Sequence, residues 1–275
     1  MTDVLPSVYL LDVEGTVAPI AFVYEQLFPY ARKHFEEFLW QNEKETEAKE
    51  ARGEDVLADG SVWRDLMALG AENRMEIDPA APRIWANPTP RAYAPEDGGT
   101  PRMITMSPAA AIPKFLEYIY WLMDHDRKST ALKSLQGKIW KAGFESGELK
   151  GTLFADVPAA LERWAARGRV AIYSSGSVEA QQLLFRHSVF GDLTGLIAGH
   201  FDTRTGAKME SASYAAIAAA MSAAPEELLF LSDVGRELDA AREAGCETRL
   251  VTREGNAPVE DPHGHRIIDS FEGLL

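Results

Sequence analysis

A doubly wound parallel α/β sheet interrupted by one long helical insertion is the fold this sequence predicts, on three observations. Short apolar runs stop at polar residues: Ser7-Val8-Tyr9-Leu10-Leu11 ends at Asp12, Arg169-Val170-Ala171-Ile172-Tyr173 at Ser174, and Leu228-Leu229-Phe230-Leu231 at Ser232-Asp233. Unbroken apolar runs of that length suit strands buried on both faces. Helical patterns alternate with the later runs, which is the signature of parallel strands joined by crossover helices. Residues 18–154 read mostly helical and lack clear strands.

In chain order, the first strand delivers Asp12 to a turn containing Gly15 and Thr16. The insertion follows. Apolar residues recur at helical spacing over residues 22–40, residues 41–55 are densely charged, and residues 115–144 offer two further amphipathic helices. Residues 78–108 are rich in proline and carry Gly98-Gly99, so they read as a loop excursion. Pro158 then opens a helix through Trp164 to Gly168. Its strand ends in Ser174-Ser175-Gly176-Ser177. An alanine-rich helix around Tyr214 to Met221 leads into the strand that ends at Asp233, a helix over residues 237–244 closes at Gly245, and residues 248–251 and 266–268 supply further strands. The expected division is residues 1–17 and 155–275 as the sheet domain and residues 18–154 as the inserted one.

Composition narrows the function classes. The 275 residues are 46% hydrophobic, enough to bury a core. The net charge of −14 repels a nucleic-acid backbone, so a small molecule is the expected partner and an anionic one needs a local positive cluster or a metal. A single cysteine, Cys246, excludes an internal disulfide and a cysteine-rich metal site. No apolar stretch reaches membrane-spanning length, no basic-then-apolar leader opens the chain, and no heptad or repeat appears, so a cytoplasmic monomer without membrane partners is expected.

In an open parallel sheet ligands bind at the carboxyl ends of the strands, where these polar residues fall. Asp12 and Glu14, two residues apart after a strand, suit a nucleophile and a proton carrier for phosphoryl transfer. Gly15 permits a tight turn there. Ser174 and Ser175 can donate hydrogen bonds to phosphate oxygens, although a serine turn capping the next helix would use the same residues. Lys208 can supply positive charge to a transferring phosphoryl group. Asp233, with Glu237 four residues on, can complete a magnesium site, although an N-cap aspartate with a solvated glutamate has the same spacing.

Asp12-Val13-Glu14-Gly15-Thr16, Leu27-Phe28-Pro29-Tyr30-Ala31-Arg32, Leu135-Gln136-Gly137-Lys138-Ile139-Trp140, Ser174-Ser175-Gly176-Ser177 and Ser232-Asp233-Val234 resemble the enolase-phosphatases of methionine salvage, the acireductone synthases of the haloacid dehalogenase superfamily. Glutamate at the second acidic position of the first motif is the telling feature. The resemblance implies a haloacid dehalogenase-like Rossmannoid core with a helical cap and a Mg2+ cofactor. It implies Mg2+ held by Asp12, Asp233 and the Glu14 backbone carbonyl, Asp12 and Glu14 as catalytic groups, and Ser174, Ser175 and Lys208 on the substrate phosphate. The implied substrate is 2,3-diketo-5-methylthiopentyl 1-phosphate, enolised and then dephosphorylated to the acireductone. Glu14 and cap residues are candidates for the enolisation base. A haloacid dehalogenase-type phosphomonoesterase without enolase activity is the alternative, against which Glu14 and the cap motifs argue.

Overall fold

The computed structural model describes residues 6–84, 92–93, 102–103 and 108–274. Much of the proline-rich stretch 78–108 lies outside the described residues. Contacts divide the chain into two compact units, one of Met1–Phe28 with Trp140–Leu275 and one of Pro29–Ile139.

The first unit is built on β1 (Val8–Leu11), β4 (Arg169–Tyr173), β5 (Gly199–Phe201), β6 (Leu228–Ser232), β7 (Glu247–Val251) and β8 (Arg266–Ile268), which form one parallel sheet in the order β5-β4-β1-β6-β7-β8. The nucleophile strand is therefore central. Side chains alternate across it, so Val8 and Leu10 join Ala171, Tyr173 and Phe230 in one core. That core takes Tyr214 and Ile217 from helix α7 (Ser211–Ala220) and Leu238 from α8 (Gly235–Glu243). Tyr9 points the other way and stacks on Trp164 of α5 (Val157–Ala165), with ring centroids 5.0 Å apart. Both faces are thus covered, as a doubly wound sheet requires, and each large apolar side chain so buried contributes roughly 1.5–3 kcal/mol. Cys246 is a buried core residue whose thiol is pushed up to about 12 by burial and then by Glu226.

Three sequence expectations differ in detail. β5 does not stand out in the sequence, because its three residues are only half-buried. Within the insertion, β2 (Ala92–Tyr93) and β3 (Arg102–Met103) form a short antiparallel pair where no strands are expected. Residues 22–40 do not form one regular helix: Phe22–Leu27 is a π-helical turn that runs into α1 (Phe28–Ala51), which continues through the charged run. The wider turn suits the sequence, since Pro29 has no N–H to give and Phe28 N–H reaches back to Val23 O. Trp140 Nε1 donates to the Leu27 carbonyl at 2.8 Å.

The second unit is helical. Besides most of α1 it holds α2 (Val62–Met75), α3 (Pro108–Asp124) and the start of α4 (Thr130–Ser146). Ser61 caps α2 by accepting from Arg64 N–H at 3.2 Å. Arg32 joins α1 to α3 through Asp124 at 2.8 Å, and Asp65 and Glu72 of α2 accept from Ser134 and Ser129 at 2.8 and 2.5 Å. In the whole chain, no helix among the described residues is long and apolar enough to cross a membrane.

Candidate active site

Register sets the first positions. Leu11 pairs with Ile172 of β4 on one side and Leu231 of β6 on the other, so the next residue, Asp12, emerges between the carboxyl ends of both neighbours. Its backbone N–H donates to Leu231 O at 3.0 Å, and its carboxylate is buried. Ser232 Oγ sits 3.4 Å from Asp12 Oδ2 and 3.1 Å from Glu237 Oε2.

Lys208 comes from the loop before α7. Its ammonium contacts Asp12 Oδ1 at 2.6 Å and Glu237 Oε2 at 2.6 Å. Burial works against its charged form, but those two carboxylates outweigh the burial and hold its pKa above the usual lysine range. The loop beneath it is tied at three successive carbonyls: Tyr173 donates to Gly206 O at 2.9 Å, Ser213 to Ala207 O at 2.8 Å and Tyr214 to Lys208 O at 2.7 Å. Those bonds aim a long, flexible side chain.

Asp233 lies past the end of β6, and its N–H donates to Thr16 Oγ1 at 3.1 Å. Gly15 has φ +72°, and a Cβ there would fall 2.2 Å from Asp233 Oδ2. Only glycine fits both the backbone angle and that space. Burial first, then the charges of Asp12 and Glu237, push the Asp233 carboxyl up to about 7. Burial and Asp12 likewise raise Glu237.

Two buried carboxyl groups, Asp12 and Glu237, share one ammonium beside the half-buried Asp233, a surplus of negative charge that fits a hard divalent cation. Among the described residues no three His, Cys, Asp or Glu side chains gather into a metal-holding group. Glu237 is turned toward Lys208 and Ser232. Asp12 Oδ2 and the Asp233 carboxylate are oxygen donors of the kind such an ion takes.

The serine loop is arranged differently. Ser174 is buried and its Oγ accepts from Gly176 N–H at 3.1 Å, whereas Ser175 is exposed. Helix α6 (Val178–Arg186) is capped by Ser177, whose Oγ accepts from Ala180 N–H at 3.2 Å, so capping does not use Ser174 or Ser175. Gln181 holds the loop, donating to Gly176 O at 3.0 Å and Phe201 O at 2.8 Å. Glu14 is exposed at the mouth of the first loop. The structure therefore brings Asp12, Lys208 and Glu237 into contact around Ser232, and places Ser174, Ser175, Glu14 and Asp233 on the adjoining strand-end loops.

The sequence profile of the haloacid dehalogenase-like hydrolases matches residues 6–245. "Enolase-phosphatase E1" of Synechococcus elongatus is 49% identical over 252 residues, spanning 91% of this chain and 90% of that protein. The chain belongs to the haloacid dehalogenase-like hydrolases, in the enolase-phosphatase E1 family. The family's Danio rerio protein is 41% identical over 271 residues, covering 97% of this chain and 94% of its own length. The crystal structure of the UTR4 protein of Saccharomyces cerevisiae superposes with a TM-score of 0.68 at 34% identity, covering 98% of this chain and all of that one.

In this family member, two groups that touch the site escape sequence reasoning. Arg253 Nε donates to Thr16 O at 3.2 Å, and Asn256 Nδ2 donates to Gly15 O at 2.9 Å. Both follow β7, the next strand after the one ending at Asp233. Their place at a strand's carboxyl end is the signal that could have found them.

Proposed function

We propose that this chain is the enolase-phosphatase that converts 2,3-diketo-5-methylthiopentyl 1-phosphate to the acireductone of methionine salvage, enolising it and then removing phosphate through Asp12. Family membership supports the activity, and the observation that carries the mechanism is the Asp12 carboxylate held at 2.6 Å by the largely buried Lys208 side chain at the end of the central strand. In this reading Asp12, Asp233 and the Glu14 carbonyl hold Mg2+, which when bound offsets the negative charge of phosphate and carboxylates.

Lys208 orients Asp12 through their ion pair, and offers its remaining N–H to a phosphate oxygen. Ser174 and Ser175 bind further phosphate oxygens. Asp12 attacks phosphorus, forming an aspartyl-phosphate as the bond to the ester oxygen breaks. Glu14 protonates that departing oxygen and then takes a proton from the water that attacks phosphorus, which frees phosphate and restores Asp12. Glu14 is exposed, so it can exchange protons with substrate and water.

We assign residues 1–17 and 155–275 to the catalytic core and residues 18–154 to a helical cap. The protein works as a cytoplasmic monomer on a small phosphate ester, without nucleic acid or membrane. Asp12→Asn keeps the shape of the side chain and removes the nucleophile, so phosphate release falls by about 10⁴-fold or more while the far-ultraviolet circular dichroism is unchanged. Turnover near the wild-type rate would refute the mechanism.

A further inference from the structure

The turn after β7 is anchored away from the catalytic residues. Arg253 pairs with Asp156 at 2.9 Å and donates to Asp269 O at 3.1 Å, and its guanidinium lies over the rings of Phe154 and Phe271 at 4.7 and 4.3 Å. Asn256 N–H closes the turn onto Arg253 O at 3.1 Å. From this fixed base the Asn256 amide nitrogen reaches two acceptors, Gly15 O at 2.9 Å and Asp233 Oδ2 at 3.4 Å. Chemistry fixes which end of the amide faces them, because a carbonyl oxygen there would put three acceptors together.

The packing is tight. A Cβ on Gly15 would lie 2.2 Å from Asp233 Oδ2 and 3.1 Å from Asn256 Nδ2, so no side chain fits between the loop, the carboxylate and the amide. Asn256 Oδ1, meanwhile, is buried without a partner among the described residues. An unbonded buried acceptor is a standing cost, and here it accompanies an amide nitrogen directed at the Asp233 carboxylate and the backbone of the nucleophile loop.

We infer that Asn256 is a positioning residue for the metal: by binding Asp233 Oδ2 and the Gly15 carbonyl together, it fixes the Asp233 carboxylate against the Asp12 loop. Partners that orient a metal's ligands typically change affinity by about 10–100-fold when removed. The inference rests on the Mg2+ reading proposed above.

The test is calorimetric titration of Mg2+ into the metal-free, full-length wild type and Asn256→Ala, well below either melting temperature, with kcat and KM measured at saturating Mg2+. The expected result is Mg2+ affinity weakened by about tenfold or more, with KM for the phosphate ester unchanged and most of kcat recovered at saturation. A residue that merely stabilised the fold would lower the melting temperature and leave Mg2+ affinity alone, and that outcome overturns the inference. Should Asn256→Ala fail to fold, Asn256→Ser, too short to reach both acceptors, carries the same expectation. No Mg2+ binding by the wild type would overturn the metal reading and this inference together, whereas normal wild-type binding matched by both variants would overturn this inference alone.

Discussion

The two sides of the nucleophile strand are built differently. Toward β6 and β7, Lys208 and Ser232 each bond to both Asp12 and Glu237, Asn256 bonds to Asp233, and Arg253 buttresses the loop through Thr16. Toward β4, Ser175 is exposed, and Ser174 holds the loop through Gly176 N–H. Charged groups brought close together out of water must be fixed and compensated, because the interior strengthens repulsion as much as attraction. Hydroxyls carry no such demand and can stay open. On the proposed mechanism, the bonded side is expected to govern the rate of the chemical step and the stability of the site, and the open side how tightly the phosphate is held.

That division can be broken at several points, and Lys208→Met has the largest expected effect. It keeps the length of the side chain but leaves Asp12 and Glu237 facing without their cation, so kcat falls about 10²–10³-fold with a smaller change in KM. A change confined to KM would put Lys208 on the wrong side of the comparison.

Asp156→Asn comes next and acts on stability. Burial opposes the Asp156 charge, yet Arg253 and the bonds from Phe271 N–H and Ser270 hold its carboxyl below the usual range. A depressed carboxylate stabilises the fold above its ordinary titration range, and that contribution is lost as pH falls through the lowered value. Urea unfolding at pH 7 should therefore show a loss of roughly 1–3 kcal/mol. The gap between variant and wild type should narrow near pH 3, and a constant gap would mean the charge is irrelevant.

Ser175→Ala is the mildest change. It removes one hydroxyl from the open side, raising KM by about tenfold and leaving kcat and melting temperature nearly unchanged. A large loss of kcat would show that the two sides are not separable.

Legibility in the sequence follows the same line. Asp12, Ser174 and Asp233 stand out because apolar runs end on them, and a parallel sheet gathers such ends at one edge. Their helices α5, α7 and α8 are equally visible from periodicity and from the Gly245 stop, where φ is +99°. The π-helical turn is not, since its apolar spacing resembles an ordinary helix and the wider turn shows only in the bond to Val23 O. Arg253 and Asn256 are hidden for another reason: their partners Thr16 and Gly15 lie 237 and 241 residues earlier. Local pattern cannot show a contact of that span. In sequence the serines suit a helix cap and phosphate donors equally, and the structure assigns the cap of α6 to Ser177.

The most direct test of the central claim follows the diketo phosphate by ultraviolet absorbance while free phosphate is measured, with Mg2+ present and oxygen excluded. An enol absorbance that rises together with phosphate is the predicted result. Phosphate released from simple esters with no enol signal from the diketo substrate would contradict the account and leave a phosphatase without enolase activity.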